Sequence, residues 1–334
     1  MAYYSVMRWP LLILLLAVQD APKTEFRNAF KKGDAYNLFF NVRLRVTIEE
    51  IPEEFQEIFP DEPVDVRSKG EASLLVTNVA DDGTATFEGK MQILSAGGVF
   101  FLADVAFDYD RGRDGEKIKG GDSPEGAGAF GFSTAQTLKA LALDKVKFTV
   151  DRMNKVAVTA KGAARGYSDR IFDLAGLTGG LSKEKVGPGD SWKGTGTMQI
   201  PNLPILIRVA AVNTYEKAGD LGGAPCAVLK STFDLSSEAA KEVPAARKEK
   251  RDQEKPPDEE EPGRRRTPLD ELKGKIEGQG DGTLLFGVDP ARPLKHEARL
   301  KLKATLRVPH PAGGDEIVVR VKIVFSQGFE LKKP

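Results

Sequence analysis

The chain has one cysteine and two histidines in 334 residues. A single thiol excludes an internal disulfide framework, whatever the redox compartment. Cys226 lies in the apolar stretch Ala224-Pro225-Cys226-Ala227-Val228-Leu229, which reads as a buried, inert thiol in a strand. His296 and His310 are too few, and too isolated from other ligands, to build a zinc site. No excess charge exists either: 49 basic residues balance 49 acidic ones. No overall field therefore draws the chain toward nucleic acid or an anionic bilayer, and any charge-driven partner must use a local patch. Apolar runs long enough to cross a bilayer core, about 20 residues, are absent as well.

The longest apolar run is short and sits at the start. Arg8 precedes Leu11 to Val18, and Gln19-Asp20-Ala21-Pro22 follow. A positive residue, a short apolar core and a small-residue exit are the pattern of a secretory signal peptide over residues 1–21. The expectation is a secreted or periplasmic protein that does not span the membrane once the signal is removed.

Past this point the dominant signal is a period of two. Tyr36, Leu38, Phe40, Val42, Leu44, Val46 and Ile48 alternate with polar residues. Leu294, His296, Ala298, Leu300, Leu302, Ala304, Leu306 and Val308 do the same, as do Ile317, Val319, Val321, Ile323 and Phe325. Side chains of a strand alternate between faces, so each segment buries one side and wets the other. Long half-wet strands predict antiparallel pairing. The expected fold is mainly β: large antiparallel sheets, curved half-barrel or sandwich, with one to three short helices. Asp81-Asp82-Gly83 marks a hairpin between Ser73–Val79 and Thr84–Leu94. Asp151 to Asn154 marks another. Helices are expected over Ser133–Leu143 and within Ser168–Leu181.

Two related modules are one option. Gly33-Asp34-Ala35-Tyr36 and Gly189-Asp190-Ser191-Trp192 each open a strand followed by a hairpin. This divides the chain into an N-terminal β module at 22–161, a joint at 162–188 and a C-terminal β module at 189–334. Residues 236–268 are rich in charge and proline and poor in large apolar side chains, so they read as a disordered insertion.

No catalytic signature emerges, and no metal or cofactor site is expected. Gly126-Ala127-Gly128-Ala129-Phe130-Gly131 matches a dinucleotide-binding glycine pattern but lacks the apolar strand that must precede it. Asp108, Asp110, Gly112, Asp114 and Glu116 alternate like calcium ligands, yet Arg113 and Lys119 occupy positions where an EF-hand loop needs glycine and glutamate. A hydrolase built on carboxylates such as Asp108, Asp110 and Asp190 is the enzymatic alternative.

Two binding surfaces are expected. The apolar strand faces, with Phe40, Val42, Leu44, Leu300, Leu302, Val321 and Ile323, would line a concave sheet that holds an amphipathic or lipid-like ligand. On the wet face, a last hairpin with Leu306 opposite Ile317 would set Lys303 against Arg320 and Lys301 against Lys322. With Arg299 and Arg307 this makes a basic patch for an anionic envelope component. A structural or protein-binding role is the alternative, and nucleic acid is not an expected partner.

The Gly-Asp-aromatic strand openings, the N-terminal signal pattern and Gly280-Asp281-Gly282-Thr283-Leu284-Leu285-Phe286 resemble a planctomycete-type class of exported bacterial β-proteins of unknown function. The resemblance spans most of residues 30–330. It implies an exported β-rich fold and carries no activity. In that class Asp and Gly often follow the Phe; here Gly287, Val288 and Asp289 do.

Overall fold

The computed structural model describes residues 23–56, 64–100, 105–112, 115–120, 146–158, 180–199, 206–237, 273–308 and 316–333. Strand period becomes strand throughout. The elements are β1 (Ala35–Glu50), α1 (Glu53–Gln56), β2 (Val64–Val79), β3 (Ala85–Phe100), β4 (Val105–Gly112), β5 (Gly115–Gly120), β6 (Val146–Val150) and β7 (Val156–Val158). They continue as β8 (Ser191–Gln199), β9 (Leu206–Leu221), β10 (Ala224–Ser237), β11 (Lys273–Val288), β12 (Ala291–Val308) and β13 (Ile317–Lys332). The signal pattern and both expected helices lie outside the described residues, except that Gly180 and Leu181 are irregular. Ser236 and Ser237, assigned to the insertion by composition, belong to β10, where the Ser237 hydroxyl accepts the Ile276 N–H. The rest of the insertion is outside the described residues.

All strands join one antiparallel sheet, in the order β5-β4-β3-β2-β1-β13-β12-β11-β10-β9-β8, with the β6–β7 hairpin on β3 beside β4. The path does not close into a barrel. The first and last long strands, β1 and β13, pair over nearly their whole length and fuse the two halves of the chain.

A single layer buries its own face only by curling around it. That is what the alternation does: Phe40, Leu300, Leu302, Val321 and Ile323 are at most 6% exposed, on the inner face. Inner side chains form three clusters. One spans β1, β2, β3 and β6; a second spans β9 to β13; the third gathers Phe26, Leu181 and Val186 with Tyr215, Leu229, Leu284 and Phe286. Close approach of strands helps the curl. A Cβ at Gly280 would stand 2.4 Å from Leu300 Cδ2, so only glycine lets Leu300 fold over β11.

The two ends of the curled sheet differ. At one end the connections are tight: 80–84, 222–223 and 289–290. Two segments run across this end. Thr24 and Val186 exchange backbone hydrogen bonds of 2.8 and 2.9 Å. Asn28 N–H donates to Arg152 O, and Ala29 N–H to Ala291 O. Leu181 N–H reaches Met153 O in the β6–β7 turn, while the Trp192 indole on β8 donates to Gly180 O at 3.2 Å. The two flanks of the open sheet are thereby strapped together, with Phe26 and Phe30 plugged beneath. At the opposite end lie the ends of β1, β8, β10 and β12, where the connections 51–63, 200–205, 238–272 and 309–316 begin.

Candidate functional site

Register decides which side chains share a level. Asn213 faces Ser231, Ser231 faces Gly282, Gly282 faces Ala298, Ala298 faces Gln327, Gln327 faces Val42, and Val42 faces Ser68. This row runs across seven strands on the inner face. Four of its seven members are polar, with Gly282, Ala298 and Val42 between them, where the rows above and below are mostly aliphatic or aromatic. Asn213, Ser231, Gln327 and Ser68 are all buried. Ser231 donates to Asn213 Oδ1 at 2.6 Å, while Asn213 Nδ2 has no hydrogen-bond partner. Four of the seven strands, β9, β10, β13 and β2, show the signal in sequence as a polar residue on the apolar parity, as in Ile323, Phe325, Gln327, Phe329. The alternation was read for its apolar members, and these interruptions were missed.

Between this polar belt and the strapped end sits His296, 1% exposed, its ring 5.5 Å from that of Phe329. Neither ring nitrogen has a partner. Burial pushes its pKa down to about 4, against a small opposing pull from Glu297, so the ring is neutral. Further toward the strap, the Arg292 guanidinium lies 5.1 Å over the Tyr36 ring and is itself buried, with Nε and Nη1 unpaired. The Tyr36 hydroxyl donates to Asp34 at 2.8 Å. Burial and that bond raise the Tyr36 pKa to about 12. Burial opposes ionisation of Asp34, but bonds from Tyr36 and from Lys31 N–H hold its pKa below the usual value. These groups fasten the strap to β1 and β12.

Between the belt and the open end, the part of the wall around β1 is apolar and only half covered. Val42, Leu44, Val46 and Ile48 on β1, Val66 on β2 and Phe325 on β13 are intermediate in exposure. Of the expected ligand-facing residues, Val42 and Leu44 belong to this accessible strip. Phe40, Leu300, Leu302, Val321 and Ile323 share the same inner face but are packed into the clusters, with little water-accessible surface left.

The wet face holds the expected basic residues, with the expected parity and a different register. Leu306 faces Val319, so Lys303 opposes Lys322, Arg320 opposes Thr305 and Lys301 opposes Val324. This corrects the register by two residues. The observed one matches the last apolar residue of β12, Val308, with the first of β13, Ile317; the expected one would have set Val308 against Asp315. Arg307 and Arg320 are neutralised by Glu316 and Glu50. Arg299, Lys301, Lys303 and Lys322 are exposed and have no ion pair among the described residues. Near the open end a hollow of about 210 Å³ lies between Glu49, Lys275, Glu277, Lys303 and Arg320.

The residues of the enzymatic alternative lie on separate elements. Asp190 Oδ2 accepts Gly187 N–H at 2.8 Å and serves a turn at the strapped end. Asp108 and Asp110 are on β4 opposite Lys119 and Lys117. Cys226 is buried, and burial with the nearby Asp220 charge raises its pKa, so it is held as an unreactive thiol. Among the described residues no three His, Cys, Asp or Glu side chains form a cluster able to hold a metal ion.

No family model matches the chain, and no curated protein matches it. Among solved structures, an outer membrane channel from Pseudomonas putida F1 aligns over 91% of this chain and 97% of its own, at 6% identity and a TM-score of 0.17. A likeness at that score says nothing about fold or function.

Proposed function

We propose that this chain is an exported, non-enzymatic binding protein that takes an amphipathic ligand at the open end of its curled sheet. One observation carries the reading: toward the open end a strip of inner-face side chains, Leu44, Val46, Val66, Leu306, Val319 and Phe325, is apolar and only half covered. Apolar surface with a few polar groups at its floor is the usual lining of a small-molecule site. Here the floor is the belt of Ser68, Gln327 and Ser231. The strands β1, β8, β10 and β12 end there, and connections between strands commonly carry binding residues. Export is supported by Arg8 and the Leu11–Val18 run.

Native mass spectrometry of the full-length product, purified from its native host, tests the reading. The expected spectrum carries an added small mass that organic extraction removes and that Val46→Lys abolishes. Val212→Lys, at an exposed position of the outer face, is expected to keep it. A single apo mass before and after extraction would overturn the proposal. It would favour a structural role instead, for which the dense packing around Leu300 and Leu302 is the supporting observation.

A further inference from the structure

The wet face carries a feature that neither the inner face nor the ligand reading accounts for. Lys303 stands directly opposite Lys322, and Arg43 directly opposite Arg67. Like charges opposed across a sheet are destabilising. The pairing of β1 with β13 brings the two repulsive pairs into one stripe, with Arg45 opposite Val324 between them and Lys301 and Arg299 alongside. Thus the basic surface of the C-terminal half continues onto β1 and β2. Carboxylates only partly answer it. Asp65 pairs with Arg43 and stands opposite Arg45, Glu277 pairs with Lys275 and stands opposite Lys303, and Asp281 stands opposite Arg299. Arg45, Arg67, Lys301, Lys303 and Lys322 make no ion pair among the described residues. At about 4.8 Å per strand and about 3.4 Å per residue, the stripe covers roughly 15 by 14 Å.

We propose that this face binds a linear acidic polysaccharide. In a chain of zero net charge, such a local excess of cations over carboxylates calls for a local polyanion rather than long-range attraction. The shape and lining select among polyanions. Single-stranded nucleic acid is gripped by aromatic stacking platforms. The exposed aromatic of this face, Phe39, lies away from the stripe and is capped by Lys332 at 5.7 Å. An anionic bilayer is flat and holds peripheral proteins through inserted apolar side chains. This face is the convex side of the curl, and its stripe presents charge with only the half-buried Val324 between. A flexible chain bearing carboxylates or sulfates can follow a curved stripe and neutralise both repulsive pairs.

The test is binding of the full-length protein to heparin by titration at low and high salt. Expected are salt-sensitive binding and a loss of about tenfold or more in Arg45→Gln/Arg67→Gln/Lys303→Gln/Lys322→Gln. Lys32→Gln/Lys90→Gln/Lys155→Gln/Lys193→Gln removes the same charge from exposed positions elsewhere and is expected to bind like the native chain. The stripe variant should keep its thermal midpoint, since the repulsion relieved at Lys303–Lys322 and Arg43–Arg67 offsets the attraction lost to Asp65 and Glu277. Equal loss in both variants would overturn the proposal, as would no loss in either. Equally tight binding of oligothymidine, or of vesicles of phosphatidylcholine and phosphatidylglycerol, would assign the stripe to another partner class and overturn it too.

Discussion

The two ends of this sheet are made from the same strands and have opposite characters. At the strapped end, tight turns, crossing backbone segments and plugged aromatic rings close over the inner face. Phe26 is 1% exposed and meets Tyr215 and Phe286 edge-on, with centroids at 5.2 and 5.6 Å. At the open end, the same inner parity holds Leu44, Val46 and Phe325, which no segment among the described residues crosses. The comparison teaches where stability and availability reside. A curled, unclosed sheet needs one end fastened to hold its curvature, which leaves the other end free to carry long connections and an accessible apolar wall.

The sharpest way to break this contrast is to remove one ring from each end. Phe26→Ala takes a fully buried side chain out of the plug and is expected to cost about 3–5 kcal/mol. Phe325→Ala removes a half-buried ring near the open end, with an expected cost of about 1–2 kcal/mol. Urea unfolding of both variants measures the difference. Equal costs would mean that the open end is as tightly packed as the plug.

A pH series probes the level between the ends. His296 has a folded pKa of about 4, below the ordinary imidazole value of about 6.5. The unfolded chain therefore binds the proton more readily than the folded one. Stability is fully present above about pH 6.5 and falls as pH drops toward 4, with a slope approaching about 1.4 kcal/mol per pH unit from this group. His296→Leu should flatten that part of the profile. An unchanged slope in the variant would show that the ring is solvated, contrary to its packing against Phe329.

The sheet was legible because alternation is a local property. One glance at Leu294 to Val308 tells which side chains face inward, and the turn residues at Asp81-Asp82-Gly83 mark where β2 gives way to β3. Register is not local. A shift of two residues keeps every side chain on its face and every apolar contact plausible, so Lys303 was matched with Arg320 instead of Lys322. The polar belt was hidden for the same reason: Asn213, Ser231 and Gln327 are single interruptions in separate strands until pairing sets them at one level. The strap was illegible because its contacts join residues far apart in sequence, such as Thr24 and Val186, with no periodicity to announce them. The basic stripe was half legible. Its C-terminal part follows from strand parity, whereas Arg43, Arg45 and Arg67 join it only through the β1–β13 seam.

The smallest expected effects lie within the strapped end, in two turns built alike. Gly33 and Gly189 both have φ of 90° and donate their N–H to Val76 O and Tyr215 O, at 2.9 and 2.7 Å. Asp34 N–H returns to Lys31 O and Asp190 N–H to Gly187 O, both at 3.0 Å. Each aspartate carboxylate then accepts the N–H three residues back. A Cβ at either glycine would meet nothing within 4 Å, so Gly33→Ala and Gly189→Ala test backbone conformation alone. Each is expected to cost about 1–2 kcal/mol, and the two costs should agree. Asp34→Ala and Asp190→Ala should not agree. Both lose a backbone cap worth about 1 kcal/mol, but only Asp34 also holds a buried hydroxyl, that of Tyr36; in the second turn the aromatic residue is Trp192, whose N–H goes to Gly180 O. Chemical denaturation of the four variants separates what the twin turns share from what the strap adds to one of them. Matching aspartate costs would mean that the Tyr36 hydroxyl contributes nothing to fastening the sealed end.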